Sequence, residues 1–172
     1  MIKCHTPIES SETLEFKSGL LTDLLNIWRE KLRGRKMPSR ADLDPLEFSA
    51  AAWPHLMLID VEKAANLRFR YRLIGSHIVN TLGRDSTGRY IDEVQDPAAY
   101  DEFVDGYRWA VENGRPLRRS GRAIFVNKEW VTFETLVLPL SLDDMAVNML
   151  LAPAVFTTTA EPDEGLPDRG PE

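Results

Sequence analysis

The sequence predicts an α+β domain: a five-stranded antiparallel sheet with short helices on one face and an N-terminal amphipathic helix. Strand-like runs occupy residues 55–62, 67–73, 117–126, 130–140 and 147–156. Residues 20–33 and 98–113 instead carry apolar residues at helical spacing. Because the strands flank a central helical block and the last three have short links, they favour one antiparallel sheet with helices packed on it.

Composition limits the classes of protein to which the chain can belong. Its 172 residues, 43% of them hydrophobic, suffice for one domain with its own core. A net charge of −6 argues against general nucleic-acid binding. No apolar run approaches the roughly 20 residues of a membrane span, and the N-terminus lacks the apolar region of a secretory signal. The single cysteine, Cys4, suits a reducing compartment, so we expect a cytoplasmic protein.

The two ends of the chain differ from its middle. Residues 1–16 have no clear period and are expected to form a flexible leader. Residues 157–172 are rich in Pro, Gly and acid, and five acids and one arginine give them a charge of −4. Such a segment has little to bury, so we expect a disordered acidic tail. The domain itself should span residues 17–156.

The first helix, residues 20–33, has a broad apolar face. Its central stripe is formed by Leu21, Leu25, Trp28 and Leu32. After Gly34 an extended connector follows, in which Pro45 can begin a short second helix that ends near Ala52. The stripe needs a covering surface, either the chain's own sheet or that of a partner.

The run at residues 67–73 alternates without a fault. One face carries Leu67, Phe69, Tyr71 and Leu73, and the other carries Arg68, Arg70 and Arg72. This pattern is typical of a half-buried antiparallel strand. The arginines suit either an anion site or a solvated face paired with Asp60 and Glu62 on the preceding strand, and we favour the solvated face.

A glycine-containing segment, residues 83–88, follows a short helix. Its backbone N–H groups and Arg84 could bind an anion. In the structural alternative, Gly83 ends the short helix, Asp85 caps the next turn and Gly88 adopts a positive φ. The segment matches neither a phosphate loop nor a dinucleotide-binding fingerprint, so we favour the structural role.

The last strands are apolar on both faces. In residues 130–140 the face of Thr132 and Glu134 continues with Leu136, Leu138 and Leu140. A sheet with one wetted side should not have this pattern. We therefore expect another element to cover the outer face, and the amphipathic helix at residues 20–33 is the natural candidate.

Several short motifs stand in a fixed order: WR at 28–29, PSR at 38–40, DLDP at 42–45, FRYRLIG at 69–75, GRDSTGR at 83–89 and LVLPLS at 136–141. In order and spacing they resemble the PAS superfamily, and in particular a bacterial single-domain PAS-like family formerly catalogued as a domain of unknown function. The resemblance covers residues 20–156. It implies a PAS fold, a sensory or regulatory role in signalling, and a homodimer formed through Leu21, Leu25, Trp28 and Leu32.

The resemblance also implies a pocket under the central helices. We expect the ligand-binding residues to be Phe69, Tyr71, His77, Ile78, Leu82, Arg84, Tyr107 and Phe133. The cofactor stays unknown: residues 98–113 hold no histidine for a haem, and no cysteine stands in a flavin-binding Asn-Cys-Arg-Phe setting. The three histidines lack metal-ligand spacing, so no metal site is predicted.

Three functions remain open. The chain can be a stand-alone PAS sensor that binds a small molecule, a partner protein or both. It can instead be a ligand-free interaction module in which the same aromatics are core packing. The third alternative is a small isomerase or hydratase on a curved sheet, for which His77 is the residue to test. No nucleophile motif or other catalytic set is evident, so we do not predict an enzyme.

Overall fold

The computed structural model of the chain describes residues 8–123 and 128–159. Within these ranges the strands are β1 (Glu9–Ser11), β2 (Met57–Lys63), β3 (Leu67–Ile74), β4 (Leu117–Ala123), β5 (Lys128–Ser141), β6 (Val147–Leu151) and β7 (Ala154–Thr158). The α-helices are α1 (Gly19–Glu30), α2 (Ser76–Leu82), α3 (Ile91–Val94) and α4 (Pro97–Asn113). Residues 1–7 of the predicted leader, 160–172 of the predicted tail and the turn predicted at Asn127 lie outside the described residues.

The α+β class with an antiparallel sheet is confirmed, but the predicted count of five strands is wrong. The sheet has seven strands in the order β1-β4-β5-β6-β2-β3, and β7 also pairs with β5. One additional strand is β1, which lies in the segment predicted as leader and pairs with β4. The other arises because the predicted strand 147–156 is divided into β6 and β7.

The division falls at Ala152 and Pro153. Proline has no N–H to donate to a strand ladder, and the chain bends there to reach two neighbours. The Ala152 N–H donates to the Met57 carbonyl at 2.8 Å, and the Pro153 carbonyl accepts from the Leu136 N–H at 3.2 Å. One edge of β5 therefore pairs with β7 near its start and with β6 near its end.

Helix α1 covers the outer face of the sheet, as its apolar stripe and the two-faced β5 predicted. Leu21, Leu25 and Trp28 are buried, and the Trp28 Nε1–H donates to the Pro139 carbonyl of β5 at 3.0 Å. Leu32 is half-buried against the same core. The predicted dimer interface on this stripe is therefore not supported, because the chain's own sheet already buries it.

The N-terminus of α1 is fixed by a carboxylate from the sheet. Ser18 provides no side-chain cap. Instead the Glu134 carboxylate accepts from the backbone N–H groups of Lys17 and Ser18 at 3.1 Å and from Arg118 Nη2 at 2.9 Å. Burial alone would raise the pKa of Glu134, but these hydrogen bonds outweigh it and hold the pKa below its ordinary value.

A β-bulge in the β2–β3 pair corrects the predicted faces of β3. Leu58 pairs with Leu73, whereas Ile59 pairs with Tyr71, so Arg72 is the extra residue. Leu73 thus lies on the outer face instead of beside Tyr71. The predicted pairing with the preceding strand is confirmed for two of the three arginines: Asp60 accepts from Arg72 Nε at 2.7 Å and from Arg70 Nη2 at 3.1 Å. Arg68 instead donates from Nη2 to Asp92 of α3 at 2.7 Å.

The connector between α1 and β2 consists of 3-10 turns at Arg40–Asp42, Pro45–Glu47 and Ala50–His55. The predicted second α-helix at residues 45–52 is wrong, because Asp44 and Ser49 each cap a separate turn. On the inner face, α2 and α4 pack over the sheet. None of the described helices is long and apolar enough to cross a membrane.

Candidate functional site

A small cavity lies between the inner face of the sheet and helices α2 and α4. Its volume is about 40 Å³, which accommodates about two or three water molecules. Five of the eight predicted ligand-binding residues line it: Tyr71, Ile78, Leu82, Tyr107 and Phe133. The sequence therefore located the cavity, although its size is far below the roughly 300–1,000 Å³ of ordinary ligand pockets.

The other three predicted residues lie elsewhere. Phe69 is fully buried in the core, with its ring centroid 5.7 Å from that of Tyr107. His77 does not line the cavity; its ring lies against His55 and against Phe156 of β7. Arg84 is exposed and donates from Nη2 to the Val94 carbonyl at 2.6 Å.

His77 belongs to a stacked histidine pair that fastens α2 to β7. The His55 and His77 ring centroids are 4.1 Å apart. His77 Nε2 accepts from the Phe156 N–H at 3.3 Å, which leaves the ring proton on Nδ1. Burial, and secondarily the neighbouring His55, lowers the pKa of His77. The neutral imidazole is thus a structural acceptor in this arrangement.

The segment at residues 83–88 has the structural role that the sequence favoured. Gly83 ends α2 in the left-handed conformation, and Gly88 has a φ of 84°. The Asp85 carboxylate accepts from the Thr87 N–H at 2.9 Å. The Gly88 N–H in turn donates to the Tyr71 carbonyl at 2.7 Å. The segment therefore extends along the edge of β3.

Arg119 also lines the cavity, and the sequence prediction missed it. Its side chain is 3% exposed, and Nη1 and Nη2 donate to the carbonyls of Phe103 and Glu102 at 2.6 and 2.8 Å. Burial lowers the pKa of Arg119, yet an arginine stays charged near neutral pH. An arginine on the same strand face as the buried Leu117 and Ala123 was the available signal.

Two buried tyrosine hydroxyls belong to the same region. Burial raises the pKa of both Tyr71 and Tyr107 well above the ordinary value, so both side chains are neutral at physiological pH. Beside them, Arg119 Nε is buried and has no hydrogen-bond partner among the described residues. The cavity thus combines an apolar wall with two hydrogen-bonding hydroxyls.

A second concavity of about 180 Å³ lies on the outer face, between the connector and strands β2 and β3. We call it the outer groove; its apolar walls include Leu43, Phe48, Trp53, Leu58, Leu73 and Leu151. Trp53 is 48% exposed and Leu73 is 43% exposed. Arg40 is the charged residue of the lining.

A third concavity, of about 620 Å³, is a trough of mixed polar and apolar lining over β4, β5 and β7. Its most buried charges, Arg118 and Glu134, are paired with each other at 2.9 Å. Glu9 and Thr157 line it close to where the described ranges end. Among the described residues, no group of three or more His, Cys, Asp or Glu is placed to hold a metal ion.

An antiparallel sheet with helices over a small buried cavity on one face is consistent with a PAS-like fold. A family model described as PAS domain matches residues 16–154. The chain therefore belongs to the PAS domain family. Neither the curated proteins nor the solved structures include a significant match to the chain.

Proposed function

We propose that this chain is a regulatory PAS module that acts by binding a partner protein and keeps a closely packed interior. The observation that carries the proposal is the central cavity of about 40 Å³. A metabolite of ordinary size needs several times that volume. Family membership supports the regulatory role, and the cavity size supports the choice of a protein over a metabolite as the bound species.

The packing around the cavity supports the same choice. Tyr71, Ile78, Tyr107 and Phe133 are all buried, and the rings of neighbouring aromatics contact one another. To admit a larger ligand, these side chains would have to leave well-packed positions, and emptying space in a core costs about 24 cal/mol per Å³ of cavity. Opening a pocket of ordinary size would therefore lower the free energy of unfolding of the protein.

A very small ligand is the second candidate, because the buried Arg119 Nε, which lies in the cavity lining, has no hydrogen-bond partner among the described residues. A molecule of a few atoms that accepts hydrogen bonds would fit. The enzyme alternative receives less support. Within the described residues the His77 ring accepts from the Phe156 N–H, and no carboxylate, hydroxyl or thiol side chain is hydrogen-bonded to that ring.

Mass spectrometry of the denatured protein tests the proposal. We expect the extract of gently purified protein to contain no stoichiometric small molecule relative to a blank. A stoichiometric compound that is absent from the extract of Tyr71→Ala protein would overturn the proposal in favour of a sensor.

The stability of two Tyr71 variants gives an independent readout. Tyr71→Ala should lose about 3–5 kcal/mol of unfolding free energy, as a packed aromatic does. The matched control Tyr71→Phe keeps the ring and removes only the hydroxyl, so we expect a change below about 1 kcal/mol. A large loss in Tyr71→Phe would show that the hydroxyl is held by a bound molecule.

A further inference from the structure

The outer groove, of about 180 Å³, is a mainly apolar concavity on the described surface. Its floor consists of Leu58, Leu73 and Leu151 from three adjacent strands, and the connector forms its opposite wall. The β-bulge at Arg72 creates the floor by moving Leu73 to the outer face. Without the bulge, period-two alternation would have placed Leu73 inside. Exposed apolar clusters of this kind mark interaction sites.

The size of the outer groove indicates what occupies it. A volume of about 180 Å³ is below the roughly 300–1,000 Å³ of small-molecule sites, but it can hold one large apolar side chain. The half-exposed Trp53 and Leu73 extend the apolar surface to the rim of the groove. A small molecule in the groove would leave much of that rim in water, whereas a protein segment would cover it. Exposed tryptophan is also enriched at the centre of protein interfaces.

The charge of the outer groove defines the partner further. Arg40 is half-buried and donates from Nη1 to the Leu43 carbonyl at 2.9 Å. Within residues 8–123 and 128–159 it has no ion-pair partner, whereas Arg70 and Arg72 on the adjoining strand both pair with Asp60. A carboxylate presented beside the apolar anchor would give Arg40 a charge-assisted hydrogen bond.

We propose that a partner protein docks in the outer groove through a segment that carries one large apolar side chain with an acidic residue close to it. This inference rests on the proposed function, since it names the surface and the chemistry by which the module binds its partner. The apolar anchor fills the space over Leu58 and Leu151, Trp53 packs on its flank, and the acidic residue pairs with Arg40.

A library of random twelve-residue peptides displayed on phage, selected on the full chain, provides a defined probe. We expect the selected peptides to share a large apolar residue and a nearby Asp or Glu. Trp53→Glu should raise the Kd of such a peptide at least tenfold. The matched control is Met145→Glu, which places the same charge on an exposed apolar residue that is not part of the groove lining and should leave the Kd within twofold.

A charge exchange keeps the test informative if Trp53→Glu disturbs folding. Arg40→Glu should weaken the acidic peptide at least tenfold and should bind a peptide with Lys in place of the acid better than the wild type does. Arg122→Glu, on strand β4 at the opposite side of the sheet, is the control and should change neither affinity. A misfolded variant cannot gain affinity for the exchanged peptide, so restored binding identifies the contact.

The remaining outcomes overturn the inference. One is a selection that yields no peptide, and another is a set of peptides whose binding is insensitive to both Trp53→Glu and Arg40→Glu. The third is self-association of the wild type that Trp53→Glu abolishes, because a second copy of the chain would then occupy the groove. Peptides that bind elsewhere would refute the groove but leave a partner-binding module intact. A stoichiometric metabolite in the core would instead refute the proposed function, so the two failures are distinguishable.

Discussion

Replacing Gly106 of α4 by alanine should destabilise the protein, although glycine-to-alanine changes inside helices ordinarily stabilise. Ala is favoured over Gly by about 1 kcal/mol in a helix interior. At this position, however, a Cβ atom would lie 2.3 Å from Arg119 Cδ and 2.4 Å from Arg119 Nε. The close approach of the arginine is therefore the physical reason why the chain needs a glycine here.

The magnitude follows from what Arg119 would lose. Its guanidinium is buried and donates to the Glu102 and Phe103 carbonyls. Each hydrogen bond from a charged donor contributes about 1.5–3 kcal/mol, so displacing both costs about 3–6 kcal/mol. Subtracting the gain in helix propensity leaves a net loss of about 2–5 kcal/mol. For a chain of this size the Tm should fall by roughly 4–20 °C.

Thermal and urea unfolding of four proteins would measure the effect: wild type, Gly106→Ala, Arg119→Ala and the double variant. In the Arg119→Ala background the obstruction is gone, so Gly106→Ala should stabilise by about 1 kcal/mol. Gly19→Ala is the matched control, because that helical glycine has open space around its missing Cβ. If Gly106→Ala raised the Tm of the wild type, the proposed contact between Arg119 and α4 would be refuted.

Two further predictions concern charge. Glu134→Gln should lower the free energy of unfolding by about 1.5–3 kcal/mol, because Gln cannot replace the carboxylate that binds Arg118 and the start of α1. The control is Glu12→Gln, which removes an exposed ion pair and should change the free energy of unfolding by less than about 1 kcal/mol. Because the folded pKa of Glu134 is lowered, its contribution is present above the ordinary glutamate pKa and lost as the pH falls through the folded value. Urea titrations should show that loss in wild type and not in Glu134→Gln. The pKa of His77 is also lowered, so the unfolded chain takes up the proton more readily and wild-type stability should fall as the pH drops below about 6.5. His77→Gln keeps a neutral acceptor for the Phe156 N–H, and its stability should depend less on pH between 7.5 and 5.5; equal pH dependence would contradict the role of His77.

The sequence located the cavity but could not define its size. The resemblance to PAS domains implied a pocket lined by residues that include Tyr71, Ile78, Tyr107 and Phe133, and these four residues line the cavity. How closely their side chains fill the space depends on rotamers and on residues from distant strands. Arg119 reaches α4 only because α4 has no Cβ at Gly106, a coincidence of positions that no local pattern contains.

The same distinction applies to the outer face. Because residues 130–140 are apolar on both faces, the sequence indicated that another element covers the outer face of the sheet. The apolar stripe of residues 20–33 indicated which helix that is. The β-bulge beside Leu58 was not evident, since a one-residue slip depends on hydrogen bonding between two strands rather than on the order of side chains in one. The slip exposed Leu73 and so produced the floor of the outer groove.

The sequence by itself determined the α+β class, the order of the main elements, the PAS family and the amphipathic cover of the sheet, because these depend on periodicities and motifs that stay local in the chain. Only the tertiary structure decided that the interior is nearly filled, that the dimerisation stripe of α1 is occupied by its own sheet, and that an apolar groove with Arg40 is exposed outside. Each of these depends on packing between segments far apart in sequence, where a few ångströms decide whether a surface is buried or free.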